Sequence, residues 1–452
     1  MKWLILFIAV CSCFAVAQQD AQATPVQAEA DFDFEFDFEQ EIADESQTLQ
    51  QAQDAGFIEA LLEPARFTVK HELSNKYKSP KGIVNNRSSL QFEYDKFFLN
   101  NFYLRFDGKL SAYWQDDHRA KGEGKSLLVK SNTREAFLQG SFGQTSIKIG
   151  RQTLIWGVSD GGAITDVISP RNLSEIFLVA LEESRIGQNL INIDQFTDFG
   201  DFSAFYVPKA KFNDYARVGT AYYFDPFNGQ ALYQDDNSGK SDDEYGLRWK
   251  RSFGKSDISL MAASLIDNNY ALRQDGFIDD GRLLLTRTKQ RYKMAGLTFN
   301  YVLGKYLFTG EIANKTNKAF NNGAFDLLEK DQMDISIGVQ YAFGNNDMLS
   351  VEVINNHIAG HDAAIVGFEQ DAHSLVFSWL GFFLFVDLSV NWMTVYSEPH
   401  TSYLHSIRTS YKYNDDVQLN FDAHYVDTKD PESGLYSYRD QAQVVFKVQY
   451  QF

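Results

Sequence analysis

The strongest constraint in this chain is an alternation that recurs from Arg66 to the last residue. Segments of about ten residues place apolar and polar side chains on opposite parities, and turn residues separate them. Phe102, Leu104, Phe106, Leu110, Ala112 and Trp114 share one parity, while Tyr103, Arg105, Asp107, Lys109 and Ser111 share the other. Met333 to Phe343 and Val417 to Tyr425 repeat the device. A period of two is the signature of a β-strand with two different faces. A soluble sandwich also alternates. Here the polar parity is heavily charged and the apolar parity is rich in aromatic residues near strand ends, which suits a lipid-facing band around a wet interior. Backbone groups in lipid must all be paired, so strands of this kind must close into a barrel.

Turn chemistry sets the strand count. Asn100-Asn101, Phe142-Gly143, Phe199-Gly200, Phe253-Gly254, Leu303-Gly304, Phe343-Gly344, Leu380-Gly381 and Asn414-Asp415-Asp416 each end one strand-like run just before the next. Gly and Asn supply the positive φ that tight hairpins need. Eight tight turns between nine hairpins predict 18 strands, with 16 the next choice. The fold class is therefore all-β, a transmembrane antiparallel β-barrel. The long connections fall near 76–86, 115–129, 157–186, 213–241, 269–287, 317–330, 359–369, 397–400 and 428–435. Short turns face the periplasm and long loops face outward in such barrels.

The first residues read as a delivery signal. Met1-Lys2 is followed by an apolar run to Phe14, too short to span a bilayer, and Ala15-Val16-Ala17 fits a cleavage site. A signal peptide over 1–17 would remove Cys11 and Cys13, the chain's only cysteines. A rival reading lipidates Cys13. From Gln18 to Pro64 the chain carries 13 acidic residues and no Lys or Arg. Residues 18–65 are expected to form an acidic, disordered periplasmic tail ahead of a barrel over 66–452. The net charge of −18 is chiefly a tail property, since Arg66 to Phe452 holds 41 basic and 47 acidic residues. This balance argues against nucleic acid as a partner. Within the tail, residues 31–39 alternate Asp or Glu with Phe. Such a segment either stays solvated, adds as an edge strand to a periplasmic partner, or enters the barrel.

The third long loop is the candidate constriction. Residues 157–185 are expected to fold inward, with Asn172 or Ser174 capping a short helix over 173–183. Its apolar residues, Ile176, Phe177, Leu178, Val179 and Leu181, must pack on the barrel wall, another loop or a partner. The predicted constriction charges are Arg151, Asp160, Asp166, Arg171, Glu182, Glu183 and Arg185. Charges of both signs across a constriction order polar solutes and exclude apolar ones. Parity also points Glu93, Asp95, Asp107, Glu135, Glu311, Asp334, Glu352 and Asp422 inward, with Arg105, Lys109 and Lys148 as a basic ladder. One conflict stands out: Ile147 and Ile149 put Arg151 on the lipid face, at a cost of about 2–4 kcal/mol at mid-bilayer. A bulge at Gly150 is therefore predicted, turning Arg151 and Thr153 inward and Leu154 and Trp156 outward.

At these residues a resemblance appears. Gly150-Arg151-Gln152-x-x-x-Trp156-Gly157, with Asp160-Gly161, Asp166 and Ser169-Pro170-Arg171, resembles a motif block of a poorly characterised family of Gram-negative porin-like outer-membrane barrels. The Gly-Arg-Gln start is distantly similar to alginate-exporter and oligosaccharide-porin barrels. The resemblance implies an outer-membrane channel, or alternatively a conduit or docking component of an envelope export system. The last strand ends Val444, Phe446, Val448, Tyr450, Phe452, which resembles the terminal signature that the barrel-assembly machinery reads. The expected surroundings are outer-membrane lipid and lipopolysaccharide. No catalytic motif, cofactor motif or metal-ligand spacing stands out, so neither an enzyme nor a cofactor is expected.

Overall fold

A computed structural model describes residues 64–159, 161–176, 184–236, 241–344 and 346–452. The expected signal, the acidic tail with its 31–39 segment, Asp160, Glu182, Glu183 and most of the expected 173–183 helix lie outside these residues. Eighteen strands form one antiparallel sheet. They are β1 (Ala65–Lys76), β2 (Gly82–Phe98), β3 (Phe102–Trp114), β4 (Leu127–Phe142), β5 (Thr145–Gln152), β6 (Gln188–Gln195), β7 (Asp201–Val207), β8 (Glu244–Phe253) and β9 (Ser256–Ile266). The other half comprises β10 (Arg291–Leu303), β11 (Tyr306–Asn321), β12 (Leu327–Phe343), β13 (Asp347–Ala359), β14 (Asp371–Phe383), β15 (Leu388–Glu398), β16 (Ser402–Lys412), β17 (Val417–Asp427) and β18 (Gln443–Gln451). Each pairs with its neighbour, and β18 closes on β1 from Thr68↔Gln451 to Lys76↔Gln443. Closure leaves no edge, which is what a sheet in lipid requires.

The outer surface is the apolar parity. Leu104, Leu110, Ile149, Ile312, Ile337, Val353 and Phe421 are exposed on it. Aromatic rings gather at the tight-turn end: Tyr306 stacks on Tyr341 at 4.8 Å, and Phe67 on Phe452 at 5.6 Å. Such offset pairs add about 0.5–1.5 kcal/mol each beyond burial. On the inner parity Asp107, Glu311, Asp334, Glu352 and Asp422 are buried.

The hairpin turns fall where Gly and Asn announce them, with one exception. The turn expected at Leu380-Gly381 lies at Leu384 to Asp387, because β14 continues to Phe383. Leu384, Phe385 and Val386 all take positive φ there, at 53°, 56° and 76°. Three consecutive bulky residues in the left-handed region are a rare choice, so turn composition pointed to the nearest glycine instead.

The bulge expected at Gly150 is absent. Register through β5 is continuous on both sides, with Gly150 opposite Phe137 and Leu190. The irregularity sits one strand earlier, where β4 opposes Asp107 with Glu135 and Gly108 with Thr133, leaving Arg134 as the extra residue. That bulge turns Arg134 and Glu135 to the same side, and Arg134 reaches Asp107 at 3.4 Å. That bulge resets parity within β4 alone and turns no residue of β5, so the inward turn expected of Arg151 does not occur. Arg151 keeps the parity of Ile147 and Ile149, next to the strand's end at Gln152.

Candidate constriction site

After Gln152 the chain leaves the wall and runs inward. Trp156, expected to face lipid, is instead 2% exposed and meets Phe205 edge-on at 5.1 Å. The strand stops four residues before Trp156, so strand parity no longer governs it. Ile164, Ile168, Leu173 and Ile176 follow it into one apolar core with Leu190, Phe205, Val207, Met261, Leu265 and Ile354. The loop thus packs on the barrel's inner wall, which is one of the three destinations expected for its apolar surface.

Two strand carboxylates hold the loop tip. Glu311 on β11 accepts backbone hydrogen bonds from Val158 and Ser159 through Oε1. Its Oε2 accepts from the Thr165 amide at 3.0 Å and the Thr165 hydroxyl at 2.8 Å. Glu352 on β13 accepts from the Gly161 amide at 2.5 Å and from the Ser159 hydroxyl. Both carboxylates belong to the inner parity. The loop leaves the wall at β5 and is fastened at β11 and β13, so it crosses the interior. Glycine is required at the crossing: a Cβ on Gly161 would lie 2.5 Å from the Val376 side chain and 2.9 Å from Glu352.

Of the predicted constriction charges, three come together. Asp166 Oδ2 accepts from Arg171 at 2.9 Å and from the Arg185 Nε and Nη2 at 3.0 and 2.9 Å. A β-bridge between Arg171 and Arg185 closes the neck of the loop. Asp166 and Arg171 are buried. Arg151 stands apart, with its Nε buried and unpaired.

The three basic residues are on the inner faces of β3 and β5 but are interleaved with acids. Arg105 donates to Glu135 at 2.8 Å and to Asp95 at 3.0 Å. Lys148 lies 5.1 Å from the Phe137 ring centroid, and Lys109 has Gln91 and Asn132 opposite it.

A second fastening was not legible in the sequence. Glu175 takes a bidentate contact from Arg87 at 2.8 and 2.6 Å. It also accepts from Arg119 at 2.8 Å and meets His118 at 3.1 Å. His118 and Arg119 lie on the short helix α1 (His118–Gly122) in the second long loop. Burial by itself would raise the Glu175 pKa, yet the Arg87 and Arg119 charges beside it hold the carboxyl well below its ordinary range. Only contact across 88 residues of sequence reveals this clamp. The apolar inner wall was more accessible to reading: apart from Ser203, Ser259 and Ser264, Phe202 to Val207 and Ile258 to Ile266 are apolar on both parities. A barrel strand with no polar face needs something inside to cover it.

Between the loop and β10–β16 a cavity of about 1400 Å³, its open mouth included, remains. Its lining is mixed. Lys315 pairs with Asp334, and Lys318 with Asp267. At its rim His400 bridges Asp430 at 3.0 Å and Glu369 at 3.2 Å.

Comparison with solved structures places this fold. Pseudomonas aeruginosa OccK8 (OprE) superposes with a TM-score of 0.52 at 8% identity, over 86% of this chain and 97% of that one. Pseudomonas aeruginosa OpdL gives 0.50 at 9% identity, over 86% and 98%. These likenesses show an outer-membrane porin fold. No curated protein matches the sequence. A family model described as a protein of unknown function, DUF1302, matches residues 64–452.

Proposed function

The chain belongs to the DUF1302 family of proteins of unknown function, and from that premise we propose that it is an outer-membrane channel for polar or charged small solutes, constricted by the loop 157–185. The observation that carries this reading is the pair of fastenings across the interior, Glu311 and Glu352 on the loop tip. They fix a narrowing while leaving the cavity beside it open. Asp166, Arg171 and Arg185 supply paired charges at the neck, and Asp160, Glu182 and Glu183 complete the proposed constriction set, from which Arg151 drops out because it keeps the outer parity of Ile149. Arg105, Lys109 and Lys148 alternate with Asp95 and Glu135 on the wall below, giving a mixed field. Lipid and lipopolysaccharide surround the barrel, and the exposed terminal Phe452 suits recognition by the assembly machinery. The chain needs no catalytic group for this role.

The test is conductance of the purified full-length protein in planar bilayers. An ohmic pore supports the channel. A silent barrel that opens on deletion of residues 31–39 refutes a free channel and supports a conduit or docking component of an envelope export system.

A further inference from the structure

The cavity beside the loop carries an incomplete set of hydrogen bonds. Asp166 Oδ1, Asn268 Oδ1, Gln332 Oε1 and Arg171 Nη1 are buried and have no partner. All four residues line this one cavity. The far end of each side chain is engaged, which fixes which atom is left over. Asp166 Oδ2 holds the two arginines. Asn268 Nδ2 donates to the Val167 carbonyl at 2.6 Å, and Gln332 Nε2 donates to Asp334 at 2.6 Å. Three acceptors and one donor are therefore left without a partner on residues that line one cavity, each atom sealed from the space until its side chain turns. A buried polar atom without a partner costs about 1–3 kcal/mol, so a clustered set calls for an explanation.

The same cavity has an apolar side. Ile164, Val167 and Leu173 from the loop line it together with Ile354, Ile358 and Phe368. Val167 is half-buried, packed on the apolar core and part of the cavity lining. The chemistry required of an occupant follows. It must donate to several oxygens and accept from a guanidinium, which hydroxyl groups do at once because each is both donor and acceptor. It must also carry an apolar portion. A bare cation suits the site less well, since Asp166 already faces Arg171 and Arg185.

We propose that this cavity is a binding site for neutral amphipathic polyols, solutes that join adjacent hydroxyls to a short apolar body. The proposal rests on the channel reading and names a solute class for it. The hydroxyls engage Asp166, Asn268, Gln332 and Arg171 after the small side-chain rotations common on binding. The apolar body lies on Val167 and Ile354.

Isothermal titration of the detergent-purified full-length barrel tests this independently of conduction. The probes are n-butyl glucoside, glucose and n-butyltrimethylammonium. Butyl glucoside is expected to bind at least tenfold more tightly than either of the others. Gln332→Met, on a strand, and Val167→Asn, on the loop, are each expected to weaken it about tenfold, and Val167→Asn to erase its advantage over glucose. Equal binding of butyl glucoside and glucose to the wild type overturns the proposal, as does unchanged affinity in both variants. The same probes applied to open channels in bilayers separate the two readings. A conducting channel without the titration signal leaves the channel standing and removes the site. A silent barrel that still binds butyl glucoside does the reverse.

Discussion

The substitution Glu311→Gln isolates the fastening of the constriction loop. It keeps the size of the side chain and removes its charge. Oε1 and Oε2 each serve two donors: the Val158 and Ser159 amides on one, the Thr165 amide and hydroxyl on the other. A glutamine has one acceptor oxygen; with that oxygen toward the Val158 and Ser159 amides, its NH₂ opposes the Thr165 amide, while the Thr165 hydroxyl can turn to accept from it. Hydrogen bonds to a charged group contribute about 1.5–3 kcal/mol each, so losing one and stripping the charge from the other three weakens the anchorage by about 3–6 kcal/mol. At 1.4 kcal/mol per factor of ten, the ratio of unseated to seated loop rises about a hundred- to ten-thousand-fold. The apolar core around Trp156 and Ile168 still holds the loop base, so the tip is what moves.

Single-channel recording reads the effect directly. The variant is expected to show frequent excursions to a higher conductance level, with a larger mean current. Thr165→Val removes a single bond to the same carboxylate and is expected to show the excursions at lower frequency. Heat-dependent gel mobility reports whether each barrel is folded. A folded Glu311→Gln barrel whose current distribution superimposes on the wild type would refute the anchoring role.

Three further outcomes follow from particular contacts. Glu175 has a folded pKa below its ordinary 4.5, so its contribution is complete above about pH 4.5 and is lost only as pH falls through the depressed value. Protease protection of the third loop is therefore expected to be flat from pH 7 to 4.5, whereas Glu175→Gln, which leaves Arg87 facing a neutral partner, is expected to cost about 3–5 kcal/mol and to expose it. His400 behaves in the opposite sense: burial works against its charge, but Asp430 and Glu369 raise its pKa above 6.5. Its bridge is complete below pH 6.5 and loosens as pH rises through the elevated value, a change that nuclear magnetic resonance of labelled histidine would follow and that His400→Gln would abolish. Gly150→Ala places a Cβ 2.4 Å from the Ala136 carbonyl at φ +134°; the backbone alone costs about 1–3 kcal/mol, seen as a lower unfolding temperature, and an unchanged one contradicts the stated geometry.

The strand architecture was legible because lipid enforces it. A one-residue slip would carry Leu104 and Leu110 inward and Arg105 and Lys109 into lipid, so sequence parity and observed register agree through β3. Turn positions were legible where Gly or Asn supplied positive φ, and misplaced at Leu384 to Val386, where pairing of β14 with β15 overrides local preference. Arg151 shows how far parity reasoning reaches. The reset it called for does not occur: Arg151 keeps the parity of Ile149 and sits next to the end of β5, where the chain is about to leave the wall.

The site was harder because its logic is not periodic. Inward parity found Glu311 and Glu352 but gave them no role, since a charged inner residue in a wet barrel needs none. Their burial is what changes the reading. A carboxylate nearly sealed from water inside a channel must be compensated, and here backbone amides of the loop compensate it. The same logic runs from the apolar side. Met261, Ala263 and Leu265 on an inner face would be costly against water, and the loop that covers them carries Trp156, Ile164 and Ile168. An inward loop therefore leaves two marks on a barrel sequence, strands apolar on both parities and acids placed for its amides. The first mark is plain in the residue order itself, in Phe202 to Val207 and Ile258 to Ile266. The second becomes visible only once the first has shown which wall the loop must reach.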